Sequence, residues 1–218
     1  MSPKHSGASS TDEFARARAR MVERQLRRRG IEDERVLDAM GEIPRERFVP
    51  NGERRRAYRD GALPIGDGQT ISQPWIVASM CALLELEGPE RVLEVGTGSG
   101  YSAAVLSRLC SHVVTVERHE GLARSAKELL WELGLRNVEV RAGDGSAGVL
   151  DRAPFDAIVV TAAAKAGPPP ALLDQLAPGA PLVCPIERGG HERLVRIRAG
   201  VEETIAPVRF VPLVEGGA

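Results

Sequence analysis

Short apolar runs rich in Val, Ile and Leu alternate along the chain with segments in which apolar residues recur at helical spacing. A short apolar run bounded by turn residues indicates a buried strand, and a period of about 3.6 residues indicates an amphipathic helix. Strands are predicted over residues 91–95, 112–117, 138–141, 155–161 and 180–185, and helices over 100–109, 120–133 and 170–176. This alternation predicts an α/β fold with a doubly wound, mostly parallel sheet and helices on both faces.

The segments on either side of this predicted core have a different character. Before it, arginines and apolar residues interleave over 16–29, which predicts an amphipathic helix, and a second helix over 32–40 is ended by Pro44. Residues 58–70 are typical of an ordered surface segment, and a helix opens at 72–74 and runs to about residue 86. Two β-rich runs, 194–198 and 204–214, follow the core. We expect a flexible polar tail over residues 1–12 and a single domain over 13–218, made of a helical and loop elaboration (13–70) and the α/β core with C-terminal strands (71–218).

Composition narrows the class of protein. The chain has 218 residues, a formal net charge of -1 and no global excess of basic residues, so we expect no nucleic acid partner. Asp12, Glu13 and Glu23 accompany the basic run over 16–29, which has no aromatic residue on which a base could stack. Because no signal-peptide or membrane-length apolar run is evident, we expect a cytoplasmic protein, a monomer that does not bind membranes. Cys81, Cys110 and Cys184 lack metal-ligand spacing, so we expect reduced core cysteines and no metal.

The junction between the first predicted strand of the core and its helix carries the candidate chemistry. Gly96, Gly98 and Gly100 alternate with small polar residues, beginning with Thr97. Such glycines let the backbone approach a ligand, and the next helix offers unpaired N–H groups. The third glycine comes one position too early for the dinucleotide pattern G-x-G-x-x-G, and Glu94 favours a cationic ligand over a pyrophosphate. S-adenosylmethionine fits these requirements, and a ligand-free turn is the alternative.

Two more carboxylates stand at predicted strand ends. Glu117 lies twenty-one positions after Gly96, where an acidic residue accepts hydrogen bonds from ribose hydroxyls in α/β nucleotide sites. Asp144 precedes Gly145 and could accept from an adenine amine, although an isolated Asp-Gly pair is more often only a turn. Taken together with the glycine loop, these acidic residues favour an adenosyl ligand. The small-residue patch over 162–170 could border the site, and the four histidines have no suitably spaced partner.

Several longer segments carry a more specific pattern. They cover residues 45–50, 57–60, 63–74, 94–101, 137–138, 143–145, 154–156 and 208–213. In these segments the chain resembles the protein-L-isoaspartate (D-aspartate) O-methyltransferase family, over nearly everything from Met21 to Val214. Other methyltransferases share the glycine loop, whereas Thr-Ile-Ser-Gln-Pro at 70–74 is peculiar to this family. Ser102 stands where the family commonly has Gln, and residues 165–170 and 187–191 also depart from the pattern.

The resemblance implies a Rossmann-like S-adenosylmethionine-dependent methyltransferase fold and a repair activity. The methyl group would pass to the α-carboxylate of L-isoaspartyl residues in damaged proteins, and the ester would convert through a succinimide towards normal aspartate. Ser72 would be the active-site residue. The cofactor-binding residues would be Ile71, Ser72, Glu94, Gly96, Thr97, Gly98, Gly100, Glu117, Asp144 and Gly145.

The acceptor carboxylate has a pKa of roughly 3 to 4, so it needs no general base at neutral pH. A neutral serine hydroxyl can orient one of its oxygens and leave the other free to attack. By local sequence alone, however, Ser72 before Pro74 is more simply explained as a helix N-cap. Arg209 could contact the peptide, but a structural salt bridge is the simpler interpretation.

Three other functions remain open. A methyltransferase of small molecules or nucleic acids would share every cofactor residue, although Thr-Ala-Ala-Ala at 161–164 differs from the Asn-Pro-Pro-Tyr type of motif that base methylation uses. A non-catalytic binding module is the second alternative, and the intact acidic residues and Ser72 argue against it. A nicotinamide oxidoreductase is the third, and the displaced glycine disfavours it.

Overall fold

The computed structural model describes residues 10–216. The strands are β1 (Leu63–Gly66), β2 (Gln69–Ile71), β3 (Arg91–Val95), β4 (His112–Glu117), β5 (Val138–Ala142), β6 (Ala157–Val160), β7 (Ala164–Lys165), β8 (Pro181–Arg188), β9 (His191–Arg198) and β10 (Val201–Pro207). The α-helices are α1 (Ser10–Met21), α2 (Glu34–Glu42), α3 (Pro74–Leu83), α4 (Tyr101–Leu106), α5 (Glu120–Glu132) and α6 (Pro170–Leu173).

The central sheet has eight strands, seven of them in the order β10-β9-β8-β6-β3-β4-β5, with β7 beside β8. All pairs from β5 to β8 are parallel, and β9 and β10 add an antiparallel edge. The two neighbours of β3 come from different parts of the chain, β4 directly after it and β6 much later. This confirms the doubly wound, mostly parallel sheet and places its switch point at β3.

Side chains of the central strands alternate between two core clusters. Val92 and Val113 belong to one cluster, and their neighbours Leu93 and Val114 belong to the other. Successive side chains of a strand point to opposite faces, so the clusters lie on the two faces of the sheet. Because both faces are covered, β3 and β4 need apolar residues at nearly every position, which explains the continuous runs in the sequence.

The N-terminal elaboration packs into the first of these clusters. Helix α1 continues through a π-helical turn (Val22–Leu26) and a 3₁₀ turn (Arg27–Arg29). The predicted tail over 1–12 is too long, since α1 begins at Ser10, and residues 1–9 lie outside the described part. Met21 and Leu26 are buried in the cluster that also holds Val92.

Four predicted boundaries or segments are corrected. Asp33 caps α2 by accepting from two backbone N–H groups, so that helix begins two residues later than predicted and ends at Glu42. Residues 58–70 contain β1 and most of β2, which ends at Ile71, and the 162–170 patch contains β7. The strand predicted over 204–214 ends at Pro207, because the backbone beyond it pairs elsewhere: Phe210 N–H donates to the Glu192 side chain and Leu213 N–H to the Ala163 carbonyl.

Within residues 10–216, no helix has the length and apolar character needed to cross a membrane. The three cysteines are buried and unpaired, as predicted from their spacing.

Candidate functional site

A cavity of about 480 Å³ opens where β3, β4 and β6 end. Val95, Glu117 and Thr161, which stand at or just after these strand ends, line it. Ligands of open α/β sheets bind at the carboxyl ends of the strands where the strand order reverses, and β3 is that point in this sheet. Seven of the ten predicted site residues line this cavity: Ile71, Ser72, Gly96, Thr97, Gly98, Glu117 and Gly145.

The first glycine of the loop is required by its backbone and by its neighbour. Gly96 has φ +98°, and a Cβ atom there would overlap Thr161 Oγ1. That hydroxyl lies 2.6 Å from the Gly96 carbonyl oxygen and 3.0 Å from the Val95 carbonyl oxygen, and its one proton is shared between them. Thr161 therefore holds the start of the loop so close to its own side chain that only glycine fits at position 96.

Glu117 holds the same loop from the other side. Its carboxylate accepts from the Gly98 N–H at 2.8 Å and from the His119 N–H at 3.0 Å, one bond to each oxygen. The residue is only 5% exposed, although it lines the cavity. Each carboxylate oxygen has a second lone pair, so Glu117 can still accept from a ligand hydroxyl.

Glu94 lies beneath the loop and is completely buried. Thr115 Oγ1 donates to Glu94 Oε2 at 2.6 Å, and the Thr97 hydroxyl lies 2.6 Å from that of Thr115. Because Thr115 donates to the carboxylate, Thr97 is the donor in the second bond. Glu94 Oε1 is buried without a hydrogen-bond partner among residues 10–216.

The environment of Glu94 disfavours its charged form. Burial raises the pKa of its carboxyl group to about 7, and the charge of Glu117 acts in the same direction. The nearby hydroxyls of Ser102 and Thr115 oppose this rise by favouring the carboxylate. Near neutral pH the ligand-free protein therefore holds a carboxyl group that a nearby cation would ionise.

We expect Glu94→Gln to flatten the pH dependence of stability. From the ordinary pKa of 4.5 to the folded value of about 7, the folded protein keeps a proton that the unfolded chain releases. The free energy of unfolding of the wild type should therefore fall across that window by roughly 3 kcal/mol and then level off. Urea unfolding at about pH 5 and about pH 8 measures the effect, with exposed Glu120→Gln as the control. Equal pH dependence in Glu94→Gln and the wild type would refute this prediction.

Asp144 and Gly145 lie on either side of a wall of the cavity. Gly145 lines it, and a Cβ atom on this residue would lie 2.6 Å from Val95 Cγ1. The Asp144 carboxylate accepts from the Ser146 N–H and hydroxyl at 2.9 and 2.7 Å and from the Gly216 N–H at 2.7 Å. Asp144 lines a neighbouring cavity of about 530 Å³ instead. Its predicted contact with adenine stays a prediction, and the turn at Asp-Gly is present.

Gly100 is required for packing between helices. It has φ +86° and precedes α4, and a Cβ atom there would lie 3.2 and 3.3 Å from side-chain atoms of Ala126 and Leu130 on α5. The 480 Å³ cavity does not include it in its lining. The third glycine thus brings α4 close to α5, a role that its spacing in the sequence does not reveal.

Ser72 follows the β1–β2 hairpin, which places Ile71 and Ser72 against the cavity. The prediction that Ser72 caps the next helix is wrong. Pro74 is the first residue of α3, so the N-cap position falls on Gln73, and no side chain caps this end. The Ser72 hydroxyl has no hydrogen-bond partner among residues 10–216. Ser72 also lines a second cavity of about 390 Å³, so it stands between two spaces.

Arg209 lines that second cavity and is exposed. The predicted structural salt bridge is wrong for the described part of the chain, where Arg209 has no ion-pair partner. The sequence also gave no role to several residues of the first cavity, namely Tyr101, Arg118, His119 and the segment 211–214. Arg118 and His119 directly follow a predicted strand end, and this position could have indicated that they line the cavity. The segment 211–214 could not be placed from its own periodicity.

Comparison with known proteins adds a second line of evidence. A family model described as protein-L-isoaspartate(D-aspartate) O-methyltransferase matches residues 16–218. The chain belongs to this family. Protein-L-isoaspartate O-methyltransferase 1 of Syntrophobacter fumaroxidans is 51% identical over 205 residues, which cover 92% of this chain and 95% of the relative. Protein-L-isoaspartate O-methyltransferase 2 of Pelobacter propionicus is 54% identical over 200 residues, covering 89% and 88%.

A solved structure has the same architecture. A protein-L-isoaspartate O-methyltransferase of Plasmodium falciparum, in complex with S-adenosyl-L-homocysteine, superposes with a TM-score of 0.80 and 26% identity. The match covers 91% of this chain and 99% of that one. Membership of the family confirms the resemblance seen in the sequence motifs and the predicted enzyme class, a methyltransferase that uses S-adenosylmethionine.

Proposed function

We propose that the chain transfers a methyl group from S-adenosylmethionine to the α-carboxylate of L-isoaspartyl residues in damaged proteins and peptides, and that Ser72 orients this carboxylate. The observation that carries the proposal is the position of Ser72. It lines both the 480 Å³ cavity, which contains the glycine loop, and the 390 Å³ cavity, which contains Arg209. A cofactor in the first space and a peptide in the second would meet at its hydroxyl.

The first cavity suits S-adenosylmethionine. Glu94 does not line this cavity but lies beneath its glycine loop, with one carboxyl oxygen unpartnered among residues 10–216. The charge of a cationic ligand in the cavity would favour its ionised form. Glu117 retains lone pairs for the ribose hydroxyls. At Gly96 and Gly145 a Cβ atom would overlap the side chains of Thr161 and Val95, so these two glycines allow the wall of the cavity to pack. The bound cofactor supplies a methyl group on a sulfonium, and the protein supplies its position.

The acceptor needs no activation by a base. An isoaspartyl α-carboxylate has a pKa of roughly 3 to 4 and is ionised at neutral pH. The task of the site is to bring the carboxylate oxygen within about 3 to 3.5 Å of the methyl carbon and in line with the sulfur. The Ser72 hydroxyl, free of internal hydrogen bonds among the described residues, can donate to one carboxylate oxygen while the other attacks. The resulting methyl ester then converts through a succinimide towards aspartate.

Matched peptides test this function. We expect methyl transfer from labelled S-adenosylmethionine to a peptide that contains isoaspartate and none to the same peptide with aspartate. The peptide with aspartate is the control for labelling at other carboxylates. Equal labelling of both would refute the repair function and leave a less selective methyltransferase. Failure of the protein to bind S-adenosylhomocysteine in a calorimeter would instead favour a non-catalytic module.

The setting of the activity is part of the same proposal. We propose that residues 13–218 act as one domain, because one core cluster extends from Met21 to Leu194. The enzyme would work as a monomer in the cytoplasm, on proteins and peptides and without nucleic acid or membrane. Buried, unpaired cysteines suit a reducing compartment.

A further inference from the structure

Arg45 carries a buried positive charge that the proposed chemistry does not use. Its side chain is completely buried, although it belongs to a short 3₁₀ turn (Arg45–Arg47) in the N-terminal elaboration. Among residues 10–216, no carboxylate lies within 4.0 Å of it, and its Nη1 atom is buried without a partner. Burying an unpaired guanidinium is unfavourable for folding, so stability alone does not explain an arginine at this position.

The contacts of Arg45 join three separate parts of the chain. Its Nε donates to the Ala57 carbonyl at 2.8 Å, and its Nη2 donates to the Ser72 carbonyl at 2.7 Å. Its Cζ lies 4.8 Å from the centre of the Tyr101 ring. Tyr101 is the first residue of α4, directly after the glycine loop, and lines the first cavity together with Ser72. One side chain thus connects the Ser72 turn with the helix that follows the cofactor loop.

The shape of the guanidinium suits this task. Its N–H donors form a rigid planar fork, so Nε and Nη2 can reach two carbonyl groups in a fixed relative position while the positive charge lies over the Tyr101 ring. A lysine ammonium has neither the fork nor the flat face. The Ser72 hydroxyl makes no internal hydrogen bond among the described residues, so its position depends on its backbone, which Arg45 holds.

We propose that Arg45 is a positioning residue for methyl transfer, which fixes the Ser72 backbone relative to Tyr101 and the cofactor loop. The inference rests on the proposed function, because it concerns the orientation of the acceptor by Ser72. This role differs from that of a residue that only stabilises the fold. A change at Arg45 should harm the reaction through Ser72 and through no other group.

A double-mutant cycle tests this dependence. We expect Arg45→Lys to lower kcat for an isoaspartyl peptide by about 100-fold, because displacements of about 1 Å are that costly. The KM for the peptide and the affinity for S-adenosylhomocysteine should change by less than about threefold. In a Ser72→Ala background, the same change should lower kcat by less than about threefold, since the group that it positions is gone. An equal loss in both backgrounds would overturn the proposal.

Two further variants protect the test from effects on folding. Leu37→Ala destabilises the same core cluster but removes neither hydrogen bond of Arg45, and should lower Tm while kcat stays within about threefold. Arg45→Gln buries no charge, so it should fold even where Arg45→Lys does not, and it should show the same dependence on Ser72. Wild-type kcat in Arg45→Gln would overturn the role of Arg45. If the wild type itself leaves the isoaspartyl peptide unmethylated, the proposed function fails, whatever the cycle shows.

Discussion

Ser72→Ala should lower kcat for an isoaspartyl peptide by about 100-fold, with little change in the free energy of unfolding. The loss follows from orientation: without the hydroxyl, the carboxylate is no longer held in line with the methyl group. The free energy of unfolding of the variant should stay within about 0.5 kcal/mol of the wild-type value, because the hydroxyl makes no hydrogen bond among the described residues and caps no helix. Steady-state kinetics and urea unfolding of the same preparations measure both quantities.

An unchanged kcat together with a lower Tm in Ser72→Ala would mean that Ser72 has only a structural role. Ser72→Thr keeps a hydroxyl and should recover part of the activity. Ser125→Ala is a matched control, since it removes a serine hydroxyl that donates to the Gly121 carbonyl on an exposed helix face. It should leave kcat within about threefold of the wild type.

Gly96→Ala should have the largest effect on cofactor binding and on stability together. Alanine is strained at φ +98°, which costs about 1–3 kcal/mol, and its Cβ would overlap Thr161 Oγ1. The hydrogen bond that this hydroxyl shares between the Gly96 and Val95 carbonyls would be broken or displaced, at a cost of about 0.5–1.5 kcal/mol. We expect the loop to move and the affinity for S-adenosylhomocysteine to fall by about 100-fold, or about 2.8 kcal/mol. Calorimetry and urea unfolding provide the two measurements.

Two variants separate strain from overlap in this prediction. Gly96→Ala combined with Thr161→Ala removes the overlap but keeps the strain, so it should recover only part of the affinity. Gly121→Ala places a methyl group where no atom lies within 4 Å, in α5, and should stabilise the protein by about 0.5–1 kcal/mol. Wild-type affinity in the single variant Gly96→Ala would contradict the prediction.

The strands that are buried on both faces of the sheet could be predicted from the sequence. The bounds predicted for β3 and β4 coincide with the observed ones, because two-sided burial demands unbroken apolar runs that end at a glycine or a charge. The β1–β2 hairpin and β7 are too short and too rich in Gly, Pro or Ala to show a period. Beyond Pro207, as far as residue 216, the backbone forms only an isolated parallel bridge, between Pro212 and Ala163, and no continuous strand, although its apolar alternation is that of a strand.

Of the candidate site, the sequence predicts only the residues that the order of the parallel strands brings to one edge of the sheet. Glu117 stands beside the glycine loop because parallel strands bring their carboxyl ends to one edge. The helix cap assigned to Ser72 failed because the rule is local, and Pro74 moves the cap to the next residue. The partners of Thr161 lie 65 and 66 residues away in the sequence, and those of Arg45 lie 12 and 27 residues away. Contacts between such distant positions leave no periodic signal in the sequence.

The segment 211–214 forms one wall of the 480 Å³ cavity, the proposed cofactor site, and the Val214 carbonyl accepts from Arg118 at 3.1 Å. Other parts of the lining come from residues near 71, 96, 117, 145 and 161. On the ribosome, the glycine loop is therefore made long before this wall. The finished pocket cannot exist until translation has passed residue 214, so the cofactor cannot assist the folding of the growing chain through this pocket. It can stabilise only the fully folded protein.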